Sequence, residues 1–261
     1  MQAQEGVLAP PKKHSLIQVY NFDDLPLIAM NVARIGAQTP SIASEVAGDC
    51  TRQIKNIKKE GALTALIGFG PTVWILITPD APVRGGFRAF DETEINGAEV
   101  PETEGDMFLH FSSDNVELNR ILAGKVQEQF GNKGNLLEEI ISEGGEHSDI
   151  ENEKEKVLIN NANNLDTVQS SFVLTQKFNA NVKPSCNLPQ RSFPYKVKPG
   201  LGRYTLTFSN QPAELEKYSE SIAHPPVSRG LFFLPSLDLL TSLRMGGIRM
   251  GSLAINAKWK E

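Results

Sequence analysis

Apolar and polar positions change period several times along the chain, and each change marks an element. Ser15 to Tyr20 (Ser-Leu-Ile-Gln-Val-Tyr) reads as a strand, with Asn21-Phe22-Asp23-Asp24 as its exit turn. Beyond it Ile42, Val46, Cys50, Ile54 and Ile57 recur every three or four residues, which predicts a helix over Leu25 to Lys59. Ala62 to Gly68 is almost continuously apolar and suits a central strand. After the Phe69-Gly70-Pro71 turn, Val73 to Ile77 predicts another strand. Pro79 to Pro101 is a long loop rich in glycine, proline and acid. Met107 to Phe111 returns to a strand pattern, Asp114 stands as N-cap of a helix running to Phe130, and Leu136 to Ser142 follows a Gly131-Asn132-Lys133-Gly134 turn. Two β-α-β units with tight turns predict a ferredoxin-like α+β domain over residues 1–142.

Residues 143–169 change character. A charge-dense run from Glu146 to Lys156 and the Asn160-Asn161-Ala162-Asn163-Asn164 tract read as a linker with little core. Ser170 to Phe178 then opens a second unit with a strand. Phe193 to Val197 and Arg203 to Ser209 add strands, Pro212 to Ala223 is a helix with proline in its first turn, and Leu231 to Leu234 closes the sheet. Pro235 ends that last strand, because it has no N–H for a ladder, and Ser236 caps a short helix carrying Leu237, Leu239, Leu240 and Leu243. The expected fold is therefore two ferredoxin-like halves, antiparallel sheets with helices on their outer faces. The second half, residues 170–261, is the shorter.

Composition narrows the function classes. The 261 residues are 40% hydrophobic, enough for a real core. With 31 acidic and 26 basic residues the net charge of −5 carries no nucleic-acid footprint and no attraction to an anionic membrane. No apolar run approaches the ~20 residues a spanning helix needs. The first residues are polar and proline-rich, unlike a secretory leader, and no Asn-x-Ser/Thr sequon occurs; a cytoplasmic location is expected, with an extracellular one by a non-standard route as the alternative.

The chemistry-bearing residues are sparse. Of the four histidines, His110 alternates with Phe108 on a strand and reads as a structural histidine, and His14 has no partner in sequence. His224, at a helix end before Pro225-Pro226, complements the helix dipole, and His147 shares an acidic loop with Glu146 and Asp149, a weak metal set. Cys50 lies on the apolar helical stripe, while Cys186 beside Lys183 has neither acid nor histidine next to it to make it a nucleophile. Gly246-Gly247 between Arg244 and Arg249 lacks the strand–loop–helix context of a phosphate loop and reads as a turn into a last strand.

Five landmarks in order resemble one family. Gln4-Glu5-Gly6-Val7-Leu8, Ile67-Gly68-Phe69-Gly70-Pro71-Thr72-Val73-Trp74, Glu104 to Phe111, Ser192-Phe193-Pro194-Tyr195 and Phe233-Leu234-Pro235-Ser236-Leu237-Asp238 are similar to the dye-decolorizing peroxidases. The resemblance implies two ferredoxin-like halves, haem held between them, and oligomers. It also implies an iron-ligating histidine, a distal aspartate in a Gly-Phe-x-Asp-Gly turn and a distal arginine.

This chain departs from that pattern at all three. Asp149 falls in the aspartate slot without the flanking Gly-Phe and with Ile150 for the closing glycine. The arginine slot, two positions before Ser192-Phe193-Pro194-Tyr195, holds Gln190, and Arg191 is displaced by one residue, to the opposite face of an extended segment. Asn179 to Gln190, where the iron ligand belongs, contains no histidine. Asp149 and Arg191 are thus degenerate catalytic candidates, and His147 and His224 are the remaining haem-ligand candidates. The expectation is a haem-less scaffold without a cofactor or metal, not an enzyme, serving as a binding or structural homo-oligomer with Arg244 to Glu261 as a contact. The alternative is a haem peroxidase with a displaced ligand, or another oxidoreductase using the cleft between halves.

Overall fold

The structure is a computed structural model that describes residues 13–53, 64–78, 87–90, 93–95, 97–103, 105–145, 158–159, 170–179, 196–197, 204–222, 225–236 and 239. Strand β1 (Lys13–Phe22) leads into helix α1 (Leu25–Gln53), then β2 (Thr64–Phe69) and a short helix α2 (Pro71–Ile77). A small hairpin, β3 (Thr93–Ile95) and β4 (Ala98–Val100), precedes β5 (Met107–Ser113), α3 (Val116–Phe130) and β6 (Gly134–Gly145). The second half contains β7 (Ser171–Lys177), β8 (Lys196–Val197), β9 (Tyr204–Ser209), α4 (Pro212–Glu220) and β10 (Ser228–Leu234).

Eight strands form one sheet in the order β6-β1-β5-β2-β10-β7-β9-β8. The first four places follow the order fourth, first, third, second of a ferredoxin-like half, and the last four repeat it. The α+β fold of two such halves is therefore as the sequence implied. The halves join where Phe233 of β10 pairs with Phe69 of β2.

Alternation along the strands sends two sets of side chains in opposite directions. Leu16 and Tyr20 of β1, Leu109 and Phe111 of β5, and Phe172 and Leu174 of β7 face the helices. They pack with Ala29, Val32 and Ala33 of α1 and Leu122, Val126 and Phe130 of α3. Gly36 lets α1 lie close to the sheet, since a Cβ there would come within 2.5 Å of the Met107 Cε. On the other face, Ile17, Val19 and Phe108 of the first half and Val173, Tyr204, Leu206, Phe208 and Phe232 of the second form a separate core. The sheet curls until its halves meet face to face, and β6, at one edge, reaches β7 through an ion pair from Glu138 to Lys177.

Several local expectations are corrected. Val73 to Ile77 is helical, not a strand: Gly70 and Pro71 start the turn, and the buried residues Val73, Trp74 and Ile77 recur at one and three positions, the spacing of a helix face. The cap of α3 is Asn115, whose side chain accepts from the Glu117 N–H at 2.9 Å, and not Asp114. The loop after Pro79 contains the β3–β4 hairpin, and β6 continues past Ser142 to Gly145. Ile159, in the stretch read as linker, is fully buried in the helix-side core. The Ser236 cap is present, its hydroxyl accepting from the Leu239 N–H at 3.3 Å.

Candidate functional site

The helix-facing side of the second half is where buried polar groups gather. Strand register lines up three rows across β10, β7 and β9: Arg229, Gln176 and Thr205; Leu231, Leu174 and Thr207; Phe233, Phe172 and Ser209. The first row is polar throughout, and the β9 column is polar throughout. The alternation Tyr-Thr-Leu-Thr-Phe-Ser in β9 puts its aromatic and aliphatic members on the inner face, which leaves hydroxyls for the helix side. Gln176, Thr205, Thr207 and Ser209 are nonetheless buried, beneath α4.

Arg229 anchors this row. It is only 2% exposed, and its backbone N–H donates to the Pro101 carbonyl while its own carbonyl accepts from the Thr103 N–H. Its Nη1 donates to the Ser219 hydroxyl of α4 at 3.0 Å, and the guanidinium carbon lies 4.2 Å from the centroid of the Phe90 ring, a cation–π contact. The Gln176 amide nitrogen reaches the same Ser219 hydroxyl at 3.5 Å. Next to this row sits an aromatic group in which Phe233 touches Trp74, Phe87 and Phe172, at centroid distances of 4.4, 6.1 and 5.2 Å. Neither Arg229 nor Gln176 was marked out by sequence. The last strand reads as starting at Leu231, and the only available signal was an arginine and a glutamine falling at apolar-facing positions of strands.

The inner face carries buried polar groups of its own. His110 is buried, and its Nε2 lies 3.2 Å from the Ser15 hydroxyl on the neighbouring strand. His14 is half-buried and its carbonyl accepts from the Asn119 amide at 3.0 Å. Burial holds the Tyr204 phenol far above its ordinary range, and the nearby Glu138 carboxylate adds to the shift.

Of the other residues singled out by sequence, Asp149, Arg191, His147, His224, Cys186 and the stretch from Arg244 to Glu261 lie outside the described residues. Cys50 lies within α1. Among the described residues no group of three or more His, Cys, Asp or Glu side chains is placed to hold a metal ion, and no helix is long and apolar enough to cross a membrane.

Two ferredoxin-like halves sharing one curled sheet define an α+β protein of double ferredoxin-like architecture. The sequence profile of the Dyp-type peroxidase N-terminal domain matches residues 4–140, more than half of the chain, and the chain belongs to that family. A dye-decolorizing peroxidase from Bacteroides thetaiotaomicron superposes with a TM-score of 0.72 at 15% identity, over 92% of this chain and 97% of its own. A haem complex of a DypB variant from Rhodococcus jostii gives 0.70 at 16% identity, over 91% of this chain and 98% of that one. No curated protein sequence matches the chain.

The fold family implies haem. The two described imidazoles do not fit the iron of that group: His14 and His110 belong to β1 and β5 of the first half, and His110 is buried against Ser15. The polar side chains in the β10, β7 and β9 rows of the second half are a guanidinium, an amide and the hydroxyls of serine and threonine, none of them a haem-iron ligand of the kinds proteins use.

Proposed function

We propose that this chain is a haem-less member of the Dyp-type peroxidase family, a non-catalytic protein that keeps the double ferredoxin-like scaffold for binding or assembly and acts as a homo-oligomer. The observation that carries this reading is the placement of histidines. The chain has four; two sit on first-half strands, and the β7–β8 connection contains none, although the family resemblance puts the iron ligand there. The remaining two, His147 and His224, stand in an acidic stretch and before two prolines. A peroxidase also needs an acid–base group and a positive charge beside the peroxide. Here Asp149 lacks its glycine turn and Arg191 is out of phase by one residue.

The second reading is a haem peroxidase with a displaced ligand, His147 or His224. The haem bound by the similar Rhodococcus protein favours it. Titrating the purified full-length protein with haemin separates the two. The leading reading expects no saturable Soret band distinct from free haemin. A one-to-one Soret species that disappears in His147→Ala or His224→Ala overturns it and establishes the second. Light scattering tests the assembly: a mass at a multiple of the chain mass is expected, and a monomer at micromolar concentration refutes it.

A further inference from the structure

Helices α3 and α4 occupy equivalent places in the two halves, each following the third strand of its half, yet they rest on different surfaces. Under α3 the strands present Leu16, Tyr20, Leu109 and Phe111 with two buried polar residues that are hydrogen-bonded, Gln18 to Glu139 and Tyr20, and Ser113 to Asn119, and the helix answers with Leu122, Val126 and Phe130. Beneath α4 the strands present Gln176, Thr205, Thr207 and Ser209. Ser209 is used, donating to Glu214 at 2.9 Å and accepting from the Gln211 N–H at 3.1 Å, which ties down the first turn of the helix. Among the described residues, the Thr205 and Thr207 hydroxyls and the Gln176 amide oxygen have no hydrogen-bond partner, although all three residues are at most 2% exposed.

A polar atom buried without a partner forfeits its bonds to water and gains nothing in exchange. Three of them under one helix make its closed position costly, and lifting the helix rehydrates all three at once. At nine residues α4 is too short to hold its shape unaided. Its apolar hold comes from Leu215 and Tyr218, aided by Ile222 just beyond. We propose that α4 is a displaceable cover over the helix-facing wall of the second half, and that Thr205, Thr207 and Gln176 are the groups that set its opening. When α4 lifts, that wall exposes two hydroxyls and an amide beside Leu174 and Leu231 to water. The inference holds whether or not the protein takes up haem.

Hydrogen exchange read by mass spectrometry on the full-length protein tests it. Amides of α4 (Pro212–Glu220) should exchange at least about tenfold faster than those of α3 (Val116–Phe130), given that an unpaired buried group shifts the opening equilibrium by about a factor of ten. The double variant T205V/T207V keeps side-chain shape and removes both unpaired hydroxyls. It should slow α4 exchange by about tenfold or more, raise the Tm and leave α3 unchanged. Equal protection of α4 and α3 in the unmodified protein overturns the proposal. So does a double variant in which α4 exchanges as fast as before or faster, or whose Tm falls. If the double variant does not fold, T207V alone serves the same comparison, and the α4-to-α3 ratio in the unmodified protein stands independently.

Discussion

Glu138 on β6 and Lys177 on β7 lie 39 residues apart in sequence and have four strands between them in the sheet order, yet their side chains meet at 3.2 Å. That contact exists only because the sheet curls, bringing the edge of the first half against the second. Beside it Tyr204 ends the inner apolar core, so the pair closes the seam on its polar side. Lys177 is half-exposed, and water screens most of the attraction. A double-mutant cycle of Glu138→Gln and Lys177→Met, read by urea denaturation, should give a coupling of about 0.2–1 kcal/mol at low salt that fades at high salt. A coupling insensitive to salt would show that packing, not charge, joins these residues.

Phe233 stands at the junction of the two halves. It pairs with Phe69 across the β10–β2 junction and touches the rings of Trp74, Phe87 and Phe172. Phe233→Ala should cost about 3–5 kcal/mol, the range for emptying a buried aromatic site, and should red-shift Trp74 emission. A loss below about 1 kcal/mol would mean that the junction repacks freely.

Two glycines should respond in opposite directions to alanine. A Cβ on Gly70 would stand 2.2 Å from the Gly105 carbonyl oxygen, a backbone atom that cannot step aside, so Gly70→Ala should destabilise by more than about 2 kcal/mol. Gly124, within α3, has nothing within 4 Å of such a Cβ, so Gly124→Ala should stabilise by about 0.5–1 kcal/mol. Thermal or urea melts of the two variants decide the matter by sign alone.

The α3 cap is open to a similar test. Asn115→Ala should remove about 1 kcal/mol, the usual worth of a side-chain cap. Asp114→Ala, next to it, should leave the α3 amides unchanged in hydrogen exchange. The reverse result would restore Asp114 as the cap.

Asp106 gives a pH signature. Burial raises its pKa above the ordinary carboxylate value, against the opposing hydrogen bond from the Phe22 N–H at 2.8 Å. The folded state then holds its proton to higher pH than the unfolded chain does. Stability from this residue is therefore present below the unfolded pKa and declines as pH rises from the unfolded to the folded value. Asp106→Asn keeps an acceptor for Phe22 and should flatten that decline. An unchanged stability–pH curve across the carboxylate range in the variant would assign the slope to another group.

What the sequence by itself determined was local: strand and helix periods, the Ser236 cap, the proline stop after Leu234, and the order of elements that yields two ferredoxin-like halves. These features depend on neighbours within a turn or a pleat, so they can be read from spacing alone. Where spacing left two readings open, the residues at the start of the segment decided. Val73 to Ile77 is apolar enough for either period, and the Gly70-Pro71 start tipped it to a helix. The tertiary structure alone decided that the sheet curls, that Glu138 meets Lys177, and that Arg229, Gln176 and Ser219 share one buried row. It also decided that the hydroxyl side of β9, which an alternating strand would show to water, lies beneath α4. Those outcomes depend on which distant strand becomes a neighbour and on which face a helix covers, and no spacing along the chain encodes either.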